Sequence, residues 1–187
     1  MLTQDRRFTL HDGRPAVIRS PEMDDAQALL DLRTKASVET PFTGRSPDDL
    51  RTTTAEDMAR TIRNMNMDPR AYMLVCEVDG AIAAYAKEWF LTRQYESHRG
   101  AIALAVLMDY WRQGIGTHLV RTMQEIAAMT DGIEQLELTT ASENYRAQQL
   151  YHDTGFRTVA VMPQALRMLN GYKMDRYFMT YDVTKRK

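Results

Sequence analysis

The feature that most constrains this chain is a near-continuous apolar run, AIALAVLM at residues 101–108, followed by the glycine-containing stretch RQGIG and a helix-compatible run that ends near Thr130. Such a run is typical of a central strand covered on both faces of its sheet. A second strand-like segment, EQLELTT, follows the helix. Because strand–helix–strand units cross right-handedly, these segments are expected to form a parallel pair.

The rest of the chain favours antiparallel neighbours. RFTLHDGRPAVIRS and AYMLVCEVDGAIAAYAKEWF each read as a hairpin around an Asp-Gly turn. Two helices lie between them, with Ser20 and Thr54 as predicted N-caps, and the stretch PFTGRSPDD is predicted as a loop. NYRAQQLYHDT predicts a later helix, and FRTVAVM and RYFMTYDV predict the last strands. We expect one α+β domain, residues 1–187, with a mixed, mostly antiparallel central sheet.

Composition excludes several classes of function. Lys plus Arg number 24 against 25 for Asp plus Glu, so nothing in the overall charge indicates a nucleic-acid partner. No apolar run approaches the roughly 20 residues of a membrane span, and the first residues lack the apolar core of a signal peptide. The single cysteine, Cys76, fits a buried strand position in a reducing compartment. The four histidines lack metal-ligand spacing. We expect a cytoplasmic protein without a metal.

The glycine stretch opens a helix, where unpaired N–H groups and the helix dipole attract anions. A P-loop would require Lys after the second glycine, but Thr117 and His118 follow Gly116. A dinucleotide fingerprint would require a third glycine where Leu119 stands. Two interpretations stay open on this stretch alone: a tight connection, or a phosphate-binding turn of another design.

Two motifs together resemble the GNAT family of acyl-CoA-dependent N-acetyltransferases. The family pattern N-x-x-A-x-x-L-Y-x-x-x-G-F is matched at every fixed position from Asn144 to Phe156. The phosphate-loop pattern [RQ]-x-x-G-x-[GA] is matched at Gly114 and Gly116, whereas its first position is Trp111 here. The resemblance covers roughly residues 71–162. It implies a GNAT fold, with helices on both faces of the sheet and a parallel strand pair that splays apart at the cofactor site.

The resemblance also implies acetyl-CoA as co-substrate and a set of residues that hold it. Backbone groups of Leu104, Ala105 and Val106 would pair with the pantetheine arm as an added strand does. The pyrophosphate would lie on the turn formed by Arg112, Gln113, Gly114, Ile115, Gly116 and Thr117. Asn144 and Tyr151 complete the expected cofactor site. Asn144 has an ordinary alternative role as a helix N-cap.

Catalysis in such a site requires two proton transfers. An amine reaches the site as ammonium and must lose a proton, and the departing thiolate needs an acid. Tyr151 stands at the family's position for that acid, although a core tyrosine would look the same in sequence. Glu137 is the predicted base. Glu88 and His98 are further candidates, and for each of the three a surface side chain or a water chain is the alternative.

The expected function is direct transfer of an acetyl group from acetyl-CoA to a primary amine of a small molecule, such as a polyamine or an amino acid. Acetylation of a protein N-terminus or lysine is the alternative within the same class. A non-catalytic acyl-CoA sensor is the alternative from another class, and the failed phosphate-loop patterns disfavour a nucleotide-binding regulatory domain. A homodimer is an open option.

Overall fold

A computed structural model describes the backbone of residues 3–186 and the side chains of residues 3–184. Within that part of the chain there are eight strands and five helices. The strands are β1 Arg6–Thr9, β2 Pro15–Arg19, β3 Ala71–Val78, β4 Ala81–Phe90, β5 Arg99–Val106, β6 Gln135–Ala141, β7 Arg157–Arg167 and β8 Lys173–Asp182. The helices are α1 Ala26–Glu39, α2 Pro47–Leu50, α3 Ala55–Met67, α4 Ile115–Met129 and α5 Tyr145–Asp153.

The fold divides into two compact units. Unit 1 comprises Met1–Trp89 and Ala103–Leu119, and unit 2 comprises Phe90–Ile102 and Val120–Lys187. Strand β5 and helix α4 therefore each contribute residues to both units. A single domain over the whole chain stays a prediction.

Unit 1 contains four strands in the order β1-β2-β3-β4, each antiparallel to the next. The turn between β3 and β4 consists of Asp79 and Gly80, whose φ angles are 52° and 78°. Both values are left-handed, as a two-residue hairpin turn of this type requires, and Asp-Gly tolerates them. Both predicted hairpins are confirmed.

Both faces of β3 are buried. Met73 and Val75 belong to a buried cluster with apolar residues of α1 and α3. On the opposite face, Leu74 and Cys76 are also buried. Burial raises the pKa of the Cys76 thiol to about 12, which keeps it protonated at neutral pH. Cys76 is the buried strand residue that the sequence predicted.

Three predictions concern the helices of unit 1: the structure confirms the Thr54 cap and differs at the Ser20 cap and at the predicted loop. Thr54 caps α3 with a reciprocal bond to Asp57, as predicted. The Ser20 prediction is wrong, because α1 begins at Ala26 after a short 3-10 turn and the Ser20 hydroxyl instead accepts the backbone N–H of Thr3 at 2.9 Å. The predicted loop at residues 41–49 contains the one-turn helix α2.

Unit 2 contains the strand order β5-β6-β8-β7. Strands β5 and β6 are parallel, with Arg99 opposite Gln135 and Ala101 opposite Glu137, and the other neighbours are antiparallel. Gly100 lies inside this pair where space is short: a Cβ there would be 2.6 Å from Cδ1 of Phe90. The predicted parallel pair and the α+β class are both confirmed. No helix in the described part of the chain is long and apolar enough to cross a membrane.

Candidate active site

The glycine turn presents three unused amides at the start of α4. The first helical hydrogen bond runs from the N–H of His118 to the carbonyl of Gly114 at 3.1 Å. Within the described chain, the N–H groups of Ile115, Gly116 and Thr117 therefore have no backbone acceptor. Gly114 has a φ of 87°, a left-handed value that side chains resist. This geometry fits a phosphate or pyrophosphate group.

Trp111, which departs from the family pattern, holds the turn against the end of β5. Its indole Nε1 donates to the carbonyl of Val106 at 2.8 Å. The next residue, Arg112, has a φ of 61°, which is strained for a residue with a Cβ. The indole bond thus ties the turn to the last residue of β5, and the backbone is left-handed at Arg112, the next position.

The β1–β2 hairpin supports the same turn from outside. His11 Nδ1 donates to the carbonyl of Arg112 at 2.8 Å, and the backbone N–H of Asp12 donates to Oε1 of Gln113 at 3.0 Å. The ring of Phe8 stacks on His118, with centroids 4.0 Å apart. Nothing in the sequence pattern pointed to these contacts, because the partners are about 100 residues apart.

The two halves of β5 differ in burial. Gly100, Ala101 and Ile102 are buried, whereas Ala103 is exposed and residues 104–106 are half-buried. The prediction that the whole apolar run is covered on both faces is therefore wrong for its second half. The predicted cofactor strand, Leu104 to Val106, lies in that less covered half, in unit 1 with the glycine turn.

In unit 2, Asn144 caps helix α5. Its side-chain oxygen accepts the backbone N–H of Ala147 at 3.3 Å, so the N-cap role is confirmed. The helix ends before Gly155, whose φ of 91° is the left-handed geometry of a helix stop. A role for Asn144 in cofactor binding stays a prediction.

Tyr151 combines a buried ring with an unused hydroxyl. Only 7% of the residue is exposed, and its ring packs against Phe156 at a centroid distance of 5.9 Å. The described residues provide no hydrogen-bond partner for its hydroxyl, and the hydroxyl oxygen is not completely buried. Burial raises the pKa of Tyr151 to about 12, so the hydroxyl keeps its proton at neutral pH. The residue is a core tyrosine that can still donate a hydrogen bond.

The three candidate bases occupy different environments. Glu137 is part-buried and forms an ion pair with Arg99. His98 is exposed. Glu88 is fully buried, and neither carboxyl oxygen has a hydrogen-bond partner in the part of the chain that the structure describes, so its interpretation as a surface side chain is wrong. Burial raises the pKa of Glu88 well above its ordinary value. A carboxyl whose two oxygens are both buried cannot contact an incoming amine.

These features define the class of protein. It is an α+β protein with a parallel strand pair, and the first strand of the pair is followed by a turn whose backbone N–H groups have no backbone acceptor among the described residues. The sequence model of the Acetyltransferase (GNAT) family matches residues 35–156, so the chain belongs to that family. GNAT acetyltransferases use acetyl-CoA as the acetyl donor. Among curated proteins, no sequence matches the chain significantly.

Solved structures with the same fold come from several bacteria. A GNAT-family acetyltransferase from Streptococcus pneumoniae has a TM-score of 0.84 and 25% identity, over 89% of this chain and 99% of that one. yncA from Salmonella typhimurium, solved with its cofactor acetyl-CoA, has a TM-score of 0.78 and 20% identity, over 90% and 94%. A ribosomal-protein-alanine N-acetyltransferase from Brucella melitensis has a TM-score of 0.77 and 23% identity, over 88% and 98%. The GNAT fold is confirmed. Cytoplasmic location, a homodimer and independence of nucleic acid stay predictions.

Proposed function

We propose that this protein transfers the acetyl group of acetyl-CoA directly to a primary amine of a small molecule. The observation that carries the proposal is the set of free amides of Ile115, Gly116 and Thr117 at the start of α4. Three N–H groups at the positive end of a helix dipole match a pyrophosphate, the anionic centre of CoA. The presence of acetyl-CoA in the Salmonella typhimurium structure supports the same co-substrate.

The remaining cofactor contacts follow from β5 and the turn. We assign the pantetheine arm to the backbone of Leu104, Ala105 and Val106, because an extended arm can hydrogen-bond to a strand as a further strand does. The half-buried state of these residues supports that assignment. The pyrophosphate is assigned to the whole turn, Arg112, Gln113, Gly114, Ile115, Gly116 and Thr117.

Acetyl-CoA supplies an acetyl thioester, whose carbonyl carbon gains a C–N bond to the amine while its C–S bond breaks. Tyr151 is proposed to donate a hydrogen bond to the leaving sulfur. The phenol has a pKa of about 12, and an ordinary thiol has about 8.5, so full transfer to free thiolate is uphill by roughly 3 to 4 pK units, or about 5 kcal/mol. Tyr151 therefore stabilises the charge as it develops, and solvent completes protonation.

Glu137 is the proposed acceptor of the ammonium proton. Its carboxylate is part-buried, and the ion pair with Arg99 fixes its position. A direct attack by the amine needs no covalent enzyme intermediate, which is consistent with a single cysteine that is buried and protonated.

The proposal is tested by measuring CoA release from acetyl-CoA over a panel of polyamines, amino acids, aminoglycosides and peptides. We expect turnover with at least one small amine, and slower turnover with peptides. If only peptides are acetylated, the acceptor is a protein N-terminus or lysine and the small-molecule proposal is wrong. Tight acetyl-CoA binding in calorimetry without turnover of any amine would identify an acyl-CoA sensor.

A further inference from the structure

Arg33 and Lys87 lie on one face of unit 1 around Tyr85 of β4, and the charge of Arg45 also acts on Lys87. We call Arg33, Lys87 and Arg45 the cationic cluster. The Arg33 guanidinium carbon is 5.9 Å from the centroid of the Tyr85 ring. Lys87 is two residues beyond Tyr85 in the same strand, so both side chains point to the same face, about 7 Å apart. Arg45 follows α1 in the chain and acts on Lys87 by its charge.

Within the part of the chain that the structure describes, Lys87 forms no ion pair. Among the described residues, the ion pairs involve other cations: Arg14, Arg19, Lys35, Arg51, Arg60, Arg93 and Arg99. Burial, together with the positive charges of Arg33 and Arg45, lowers the pKa of Lys87 to about 8. Arg33 and Lys87 are half-buried, whereas Arg45 is exposed and its charge also acts on Asp49. Two half-buried cations on one face without an ion-pair partner among the described residues are costly to keep, so an anion from outside the chain would stabilise Arg33 and Lys87.

The cationic cluster shares its face with the strand assigned to the pantetheine arm. Tyr85 and Ala105 both pack against the core cluster formed by α1, α3 and β3. The backbone N–H of Leu107 donates to the carbonyl of Ala83 at 3.0 Å, and an antiparallel continuation of this bond sets Tyr85 beside Ala105. The cations therefore lie next to the strand along which the acetyl group would be delivered.

We propose that the cationic cluster binds an anionic group of the acceptor, so that the amine substrate is one that carries a carboxylate, such as an α-amino acid. A polyamine, which brings only positive charge, would be repelled at the same place. This inference rests on the proposed function, because it specifies the acceptor of that reaction. It assigns Arg33 and Lys87 to acceptor specificity and gives them no part in the chemical step.

Matched acceptors test the inference first. CoA release is measured with L-amino acids, with the carboxamide of each one, and with spermidine. The carboxamides lack the negative charge, and their amines are less basic, so a larger fraction of each amine is unprotonated. The carboxamides should therefore be the better acceptors if the protein does not bind the carboxylate. We expect kcat/KM at least tenfold higher for the acid than for its carboxamide, and spermidine to be the poorest acceptor.

Variants then locate the selectivity. Lys87→Met and Arg33→Met should each raise KM for the acid at least tenfold and lower the acid-to-carboxamide ratio of kcat/KM at least tenfold. Lys87→Arg and Arg33→Lys keep a cation and should retain much of the preference. Arg63→Met removes an exposed cation from α3 and is the matched control, because it changes the net charge equally. Thermal unfolding of each variant identifies any that is not folded.

Direct binding provides a readout without turnover. Calorimetry compares N-acetyl-L-methionine with N-acetyl-L-methioninamide in the presence of CoA, at pH 8.5 in two buffers of different ionisation enthalpy. We expect the acid to bind at least tenfold more tightly and to take up a proton, because an anion restores the charge of Lys87. Lys87→Met should abolish the uptake.

The outcomes separate this inference from the proposed function. Equal use of acids and carboxamides, or an acid preference that survives Lys87→Met and Arg33→Met, overturns the cationic cluster as an acceptor site and leaves the acetyltransferase intact. If no amine is acetylated and acetyl-CoA does not bind, the proposed function fails. In that case the calorimetric comparison still decides about the cluster: equal binding, or none, overturns it.

Discussion

At the scale of single residues, Tyr151 distinguishes an enzyme from a sensor. Tyr151→Phe keeps the buried ring and removes the hydroxyl, which has no hydrogen-bond partner among the described residues. If that hydroxyl stabilises the leaving thiolate, turnover should fall on the order of 10²-fold and acetyl-CoA affinity should barely change. Tyr145→Phe is the control, because Tyr145 is on the same helix and 72% exposed. Parental turnover in Tyr151→Phe would show that the hydroxyl does not stabilise the leaving thiolate.

The role of Glu137 is tested by comparing a variant at this position with a control variant at Glu134. Glu137→Gln removes a proton acceptor and keeps the shape of the side chain, so we expect kcat to fall at least tenfold, with a smaller loss at alkaline pH where more amine arrives unprotonated. Glu134→Gln changes an exposed carboxylate just before the same strand and should have no effect. An unchanged kcat and pH profile in Glu137→Gln would exclude Glu137 as the base.

Glu88 gives the protein a stability that depends on pH. Its pKa in the folded state is raised above the ordinary 4.5 by burial, so the unfolded chain ionises first as pH rises. The stabilisation is complete below about pH 4.5 and is lost as pH rises through the folded pKa, at about 1.4 kcal/mol per pH unit. Glu88→Gln should therefore gain stability over the parent protein by that slope between pH 5 and pH 6.

Urea unfolding at each pH measures this difference in the free energy of unfolding. Glu56→Gln, at an exposed position of α3, is the control and should follow the parent protein at every pH. If the gap between Glu88→Gln and the parent stays constant between pH 5 and pH 6, the burial of Glu88 does not control its ionisation.

At the scale of elements, the parallel pair of unit 2 depends on one residue without a side chain. A Cβ at position 100 would be 2.6 Å from Cδ1 of Phe90 and 3.0 Å from Cδ2 of Leu136. Gly100→Ala should lower the free energy of unfolding by about 1–3 kcal/mol. Phe90→Leu combined with Gly100→Ala should recover part of that loss. Equal stability of Gly100→Ala and the parent protein in urea unfolding would show that the ring moves aside freely.

The β1–β2 hairpin is an element that positions another element. His11 donates to the carbonyl of Arg112, which has a strained φ of 61°. Removing this bond in His11→Ala should weaken CoA binding about 2- to 12-fold, since one hydrogen bond contributes about 0.5–1.5 kcal/mol. His11→Asn can still donate and should recover part of the affinity. His152→Ala removes an exposed histidine from α5 and is the control; calorimetry with CoA compares all three.

At the scale of the whole molecule, the sequence predicts the elements far better than their long-range contacts. Asp-Gly turns, the Thr54 cap and the apolar run at β5 are local signals, and the structure confirms each element that they predict. Ser20 had an equally good local signal but forms a bond with Thr3, so tertiary contact overrides it.

The candidate site could be predicted only where its residues are neighbours in sequence. The glycine turn and the motif from Asn144 to Phe156 are contiguous and could therefore be recognised. Arg33 and Lys87 are 54 positions apart, and no pattern in either segment indicates that one approaches the other. Glu88 lies between Lys87 and Trp89 near the end of a predicted hairpin strand, where a carboxylate is expected at the surface, and only the packed structure shows that it is buried.

The burial of Cys76 has a practical consequence for every assay of this protein. The thiol at position 76 is the chain's only one, and with a pKa of about 12 it is almost entirely protonated in the fold. A disulfide reagent such as Ellman's therefore detects released CoA against almost no protein background. Under mild denaturant, Cys76 reacts slowly with the reagent, and the absorbance from this reaction measures the fraction of molecules that have unfolded enough to expose the thiol. One cuvette thus records turnover and unfolding with the same chemistry, without an attached dye.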